Sequence, residues 1–251
     1  MHTPLCNHAE GIPLLYAAAA LEAGLKGICF TEHNPMPAHL DPRTRLQTSD
    51  IPVYLELVGE AREEFAGRLE VGIGLEADFF PGTEAFVART LEAQDWDYVI
   101  GSVHYIGPWG FHNRPTRADT DEFFGEYYRL ITLAAQSGLF DAIGHLDLGK
   151  RFIPVPEHHM ELVLPALDAI AQNGLALDYN TSGEYKAGGA YPSDQILQAA
   201  FERGIPIVLG SDAHKPSEVA HAFAKAGKTL KKIGYVEARV FRKRQAQDYP
   251  L

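Results

Sequence analysis

Several things are scarce in this chain of 251 residues. Cys6 and Cys29 are its only cysteines, and there are just two tryptophans and three methionines. Two thiols cannot staple a fold, so a disulfide scaffold is excluded. No apolar run approaches the roughly 20 residues of a bilayer span, and no basic segment leads into an apolar one. Neither a membrane partner nor export is indicated, and the expected location is cytoplasmic. Positive charge is also short: 22 Lys and Arg face 33 Asp and Glu, a net charge of −11. A general nucleic-acid binder needs a basic stripe, so nucleic acid is not an expected partner. An anionic substrate stays open, because bound divalent cations invert the field inside a site. Linkers, low-complexity tracts and charge blocks are missing as well, so residues 1–251 are expected to form one domain.

What is present is a repeated pattern. Ile-Pro-Ile-Val-Leu-Gly-Ser-Asp-Ala-His, at 205–214, is an apolar run that ends in a carboxylate and an imidazole. It reads as a strand buried on both faces. Asp212 and His214, at i and i+2, would point the same way from its end. Comparable runs end at His33, Glu76, His104 and His145. A further strand is expected at 175–180, ending at Asn180, and a short last one at 236–241. Helices are expected at 11–26, 53–67, 83–93, 121–137, 157–172, 193–203 and 217–232, with Gly24, Gly138 and Gly174 as stops. Alternating strands and helices signal a parallel α/β sheet. Functional residues at the carboxyl ends of several strands favour a barrel, where all such ends share one rim. An open doubly wound sheet gathers ligands mainly at one crevice and fits less well.

Imidazole and carboxylate donors together suit Zn, Fe or Mn better than Ca or Mg. The candidate metal ligands are His2, His8, His33, Glu76, His104, His145, Asp212 and His214. One ion takes three or four protein ligands, so these candidates imply two or three divalent ions. Ions about 3.5–4 Å apart activate water and clamp a phosphoryl group for in-line displacement. Hydrolysis of a small phosphate ester is the reaction they suit. Asp212, His214 and Glu76 are the expected catalytic residues. Arg151 is the expected phosphate binder, with Lys150 and Lys215 as weaker candidates. Tyr105, Trp109 or Asp41 at the rim would meet the rest of the substrate.

The chain resembles the PHP (polymerase and histidinol phosphatase) superfamily, and within it the histidinol-phosphate phosphatases. The resemblance rests on His2-Thr3 with His8-Ala9, Phe30-Thr31-Glu32-His33, Gly74-Leu75-Glu76 and Gly101-Ser102-Val103-His104. It continues through Gly144-His145-Leu146-Asp147, Asn180-Thr181 and Gly210-Ser211-Asp212-Ala213-His214. It implies a distorted seven-stranded β/α (TIM-like) barrel with a trinuclear metal centre, acting on L-histidinol phosphate in histidine biosynthesis. By resemblance, His2, Glu76 and Asp212 hold one ion, Glu76, His104 and His145 a second, and His8, His33 and His214 the third. Asn180 joins the substrate-binding residues.

The sequence departs from the family twice. The opening Asp-x-His-x-His motif is represented only by its last histidine, His2, and the first strand is missing, for which a misassigned start is the expected reason. Around 181–191 the family's phosphate-binding arginine is replaced by Glu184, Tyr185 and Lys186. Lys186 could stand in as a point charge, without the bidentate fork of a guanidinium. The rival readings are a PHP-type phosphoesterase acting on another phosphate ester, and a truncated non-catalytic member that binds metal or phosphate. Glu32 and Asp78 read as hydrogen-bonding or surface groups, and Asp147 as a loop carboxylate or a partner of a ligand. Cys6 reads as a packed thiol, His158 and His159 as solvated, and His39 and His112 as loop residues that could reach the substrate.

Overall fold

The structure, a computed structural model, describes residues 1–40, 43–107 and 115–251. Asp41, Trp109 and His112, singled out above, lie outside the described residues. Helix α1 (Pro13–Glu22) leads into strand β1 (Gly27–His33), followed by α2 (Ile51–Glu64) and β2 (Glu70–Asp78). Next come α3 (Glu84–Glu92), β3 (Tyr98–Ser102), α4 (Thr120–Gln136) and β4 (Ala142–Ile143). The chain continues through α5 (His159–Gln172), β5 (Ala176–Asn180), α6 (Gly183–Lys186), α7 (Asp194–Glu202) and β6 (Ile207–Gly210). It ends with α8 (Phe223–Ile233), β7 (Glu237–Arg242) and β8 (Gln245–Pro250).

Strands β1 to β6 form one parallel sheet in chain order. Each crossover is made by a helix with an apolar face, as in α4, which buries Phe123, Phe124, Tyr127, Tyr128, Leu130 and Ile131. The helix ends behave as the sequence indicates. Gly174, after α5, takes φ 68°, a conformation open to glycine at little cost. Leu175 N can then bond back to Ile170 O at 3.1 Å, and β5 begins at once.

The sheet is curled. Thr31 N, at the end of β1, donates to Met1 O at 2.8 Å, and His2 N donates to Ala213 O, beyond β6, at 3.0 Å. One dipeptide thus bridges β1 and the segment that follows β6. The result is a six-stranded parallel half-barrel whose strand ends face a common rim. The apolar core runs from Tyr16 in α1 to Leu230 in α8 and Tyr235 beyond it.

The far end of the chain differs from expectation. Residues 236–241 were expected as a single strand, but β7 pairs antiparallel with β8. Lys243 and Arg244 turn between them at φ 48° and 60°, the left-handed pair that a two-residue hairpin loop needs. This hairpin covers the end of the sheet away from the rim. Phe241 stacks on Tyr98 with ring centres 5.1 Å apart. Arg244 Nε donates to Asp141 at 3.0 Å, and its Nη2 to Leu139 O at 2.7 Å. Local periodicity carries no sign of these contacts, because their partners lie more than 100 residues back along the chain.

Candidate metal centre

At the rim, the strand ends and the segments that follow them deliver side chains into a pocket of about 290 Å³. Its floor includes His8, His33, Glu76, His104, His145, Asp212 and His214. His2 closes the group from below, with its ring 4.3 Å from that of His33 and 4.2 Å from that of His214. All eight residues proposed as ligands from the sequence therefore meet.

The route by which they meet is not entirely the expected one. His33 and Glu76 do lie in strands, but β3 stops two residues before His104 and β4 two before His145. Strand β6 ends at Gly210, so Asp212 and His214 are not an i, i+2 pair on a strand. Asp212 has φ 46° and His145 φ 21°. Both lie in the left-handed region, which non-glycine residues seldom occupy and which often marks a functional site. The backbone turns out of the ladder there, and this turn aims the side chains inward.

Glu76 is the hub. Its Oε1 lies 2.8 Å from His145 Nε2 and 3.6 Å from His104 Nε2, and accepts from Ser102 Oγ at 2.6 Å. Its Oε2 lies 3.3 Å from His2 Nε2 and 3.4 Å from His33 Nδ1. Burial alone would push this carboxyl up; His33, His145, His2 and His104 together hold it well below the usual range. Asp212 is treated alike. Its burial is outweighed by Lys186 first, then His2 and His214. Lys186 Nζ sits 2.8 Å from Asp212 Oδ2, placed there by α6, a short helix between β5 and α7.

The imidazoles divide into two kinds. Burial drives His8 and His33 down, and it takes His214 down to about 3. Burial also opposes charge on His2, but hydrogen bonds to Asp212, Glu32 and Glu76 outweigh it and hold His2 up to about 10. Below that value and without metal, His2 carries a proton between Glu76 and Asp212. A cation at His2 Nε2 must displace that proton. Zinc uptake at pH 8 is therefore expected to release at least one proton per chain: His8, His33 and His214 are already neutral, while at His145 burial is outweighed by the hydrogen bond to Glu76, which raises it. The dependence of titration heat on buffer ionisation enthalpy would measure it. Zero release would remove His2 from the ligand set.

The donor set fits divalent cations. His2, Glu76 and Asp212 bring one donor atom each within 4.8 Å of one another, and so do His33, Glu76 and His104, and His2, His33 and His214. The first triplet is the grouping given by resemblance; in the second, His33 takes the place of His145. His8 Nε2 lies only 3.1 Å from His214 Nε2, and His145 Nδ1 is buried with no partner among the described residues. Crowded neutral imidazoles around anionic carboxylates are what metal ions require. Cys6 also falls near His8 and His214. Its thiol donates to Thr3 O at 3.2 Å, and burial followed by Glu32 drives its pKa upward, away from the thiolate a metal needs.

The remaining candidates separate clearly. Arg151 and Lys186 line the pocket. Lys215 instead turns to Glu10 at the surface, at 3.0 Å. Lys150 is held by Asp147 at 3.0 Å and Ala190 O at 2.6 Å. Asn180 lies beneath the site, with its amide bonded to Ser182 N at 3.0 Å and Asp178 at 3.1 Å. Asp147, also bonded to Ser193 N at 3.0 Å, braces two loops. His39 and His158 are exposed. His159 is half-buried and meets Tyr128 OH at 2.7 Å, not solvent. Tyr105 OH accepts from Arg45 at 3.1 Å.

Two residues read as bland are central. Glu32 is fully buried; it accepts from Thr3 N at 2.7 Å and His33 N at 2.9 Å, and its Oε1 lies 3.2 Å from His2 Nδ1. Asp78 stands in the same relation to His104, at 2.8 Å. Such carboxylates fix the tautomer of a ligating histidine. Each lies within two residues of a candidate ligand at a strand end, a signal the sequence did contain.

A family model described as PHP domain matches residues 1–182. The chain belongs to the PHP family. It is 52% identical over 243 residues to a probable histidinol-phosphatase of Deinococcus radiodurans, covering 93% of this chain and 92% of that one. It is 32% identical over 257 residues to the histidinol-phosphatase of Bacillus subtilis, covering 89% and 95%. Among solved structures, it shares its fold with the histidinol phosphate phosphatase of Lactococcus lactis, crystallised with zinc, L-histidinol and phosphate. The TM-score is 0.85 at 24% identity, over 98% of this chain and 97% of that one. This likeness bears on the fold of the PHP chain; the site rests on the geometry above.

Proposed function

We propose that the chain is a histidinol-phosphatase, cleaving L-histidinol phosphate to L-histidinol and phosphate, a step of histidine biosynthesis. The observation that carries this reading is Glu76, one buried carboxylate ringed by four imidazoles and open to a pocket that also holds two cationic side chains. The relatives named above, a probable histidinol-phosphatase and a histidinol-phosphatase, align with this chain over nearly their whole length. His2, Glu76 and Asp212, then His33, Glu76 and His104 with His145, then His8 and His214, would hold two or three Zn, Fe or Mn ions. Such ions supply an activated water and charge neutralisation at phosphorus. Arg151 and Lys186 bind the phosphoryl oxygens and oppose their growing charge. Val103, Ile106, Phe123 and Phe152 give the pocket an apolar wall suited to the substrate's ring and methylenes.

The same reading extends to the fold. We take residues 1–251 as one domain, since a single core links its first and eighth helices. A seventh strand would complete the barrel between β1 and β6. Met1 already occupies one parallel rung there, donating to Cys29 O at 3.4 Å and accepting from Thr31 N at 2.8 Å. Below it, β1 and β6 have no strand partner on their outer sides among the described residues. A cavity of about 1040 Å³ lies behind them. Unpaired edges around a cavity are costly, and a strand in that slot would satisfy them.

The test is a panel of phosphomonoesters assayed with zinc or manganese. L-histidinol phosphate is expected to be turned over most efficiently. A sugar phosphate or nucleotide hydrolysed faster would reassign the substrate.

A further inference from the structure

We propose that Arg45 and Asp78 form a buried lock that positions His104 for one ion of the site. The proposal rests on the metal-centre reading and extends it to residues that touch neither ion nor substrate.

Arg45 comes from the segment between β1 and α2, yet it is only 2% exposed. A buried guanidinium is costly unless it is paired and hydrogen-bonded. Here it is both. Its Nη2 donates to Asp78 Oδ2 at 2.9 Å and to Tyr105 OH at 3.1 Å, while Nη1 donates to Asn34 O at 3.0 Å. Asp78 N in turn donates to Asn34 Oδ1 at 2.9 Å. One side chain therefore ties together the segments that follow β1 and β3 and the end of β2.

Only one oxygen of Asp78 faces the arginine. The other, Oδ1, lies 2.8 Å from His104 Nδ1. An ionised carboxylate can only accept, so Nδ1 is the protonated nitrogen. The lone pair is then on Nε2, the atom that lies 3.6 Å from Glu76 Oε1 and within the pocket floor. The lock thus fixes both the orientation and the tautomer of His104. A lysine at position 45 would keep the charge but lose the planar fork that reaches Asp78, Tyr105 and Asn34 together.

The test uses Asp78→Ala and Arg45→Lys in the full chain, with zinc affinity measured by competition against a chromophoric chelator. Each variant is expected to bind one ion about 10–100-fold more weakly, with the other ions held as in the wild type. KM for L-histidinol phosphate at saturating zinc should stay within about twofold, because neither residue lines the pocket. Should Asp78→Ala fail to fold, Arg45→Lys carries the test. Unchanged affinity, or equal weakening of every ion, would overturn the lock. If the wild type binds no divalent ion, the metal reading falls with it; if only the variants match the wild type, the lock alone falls.

Discussion

Glu76→Gln is expected to lower kcat/KM for L-histidinol phosphate by about three orders of magnitude and to deplete bound metal. The size follows from what the residue does. Glu76 is the carboxylate shared by the His2, Asp212 group and the His33, His104 group. Metal-assisted charge stabilisation is worth several kcal/mol, and about 4 kcal/mol corresponds to a thousandfold in rate. Glutamine keeps the shape and one acceptor oxygen but removes the charge that faces the surrounding imidazoles. It also places an NH2 donor against the side chains of His145, His2 or Ser102, which lie 2.6–3.3 Å away. Metal content by elemental analysis and steady-state kinetics would check both parts. Activity within tenfold of the wild type, with full metal content, would mean that Glu76 is not the hub.

Arg151→Ala is expected to reduce kcat/KM about 10–100-fold with metal content unchanged. Hydrogen bonds to charged groups are worth about 1.5–3 kcal/mol each, which sets that range. Arg151 closes the short turn Leu148–Arg151, and its position depends on Gly149. A Cβ at Gly149 would come within 2.7 Å of Phe123 and 2.8 Å of Phe124. The turn can therefore lie close on α4 and present Arg151 to the pocket. Inhibition by inorganic phosphate should weaken in parallel, and Arg151→Lys should recover part of the loss. Lys186 would not compensate fully, since its ammonium is already engaged by Asp212 at 2.8 Å. A variant with wild-type kinetics and wild-type phosphate inhibition would leave Lys186 as the phosphate ligand.

The chain alone determined the alternation of strands and helices as far as β6 and the types of donor at the rim. Both are encoded locally, by apolar runs bounded by turn residues and by His, Glu and Asp placed where those runs stop. Which residues converge was legible for the same reason: in a parallel α/β sheet the carboxyl ends of the strands share one face. Tertiary structure decided the rest. Asp212 and His145 reach the site through left-handed backbone beyond their strands, which a reading in strand register does not provide. Lys215, near the ligands in sequence, points to Glu10, while Arg45, in a loop without apparent chemistry, is buried against Asp78. The β7–β8 hairpin finds Tyr98 and Asp141 from the opposite end of the chain. Burial and ion pairing depend on distant partners, and those partners exist only once the sheet has curled.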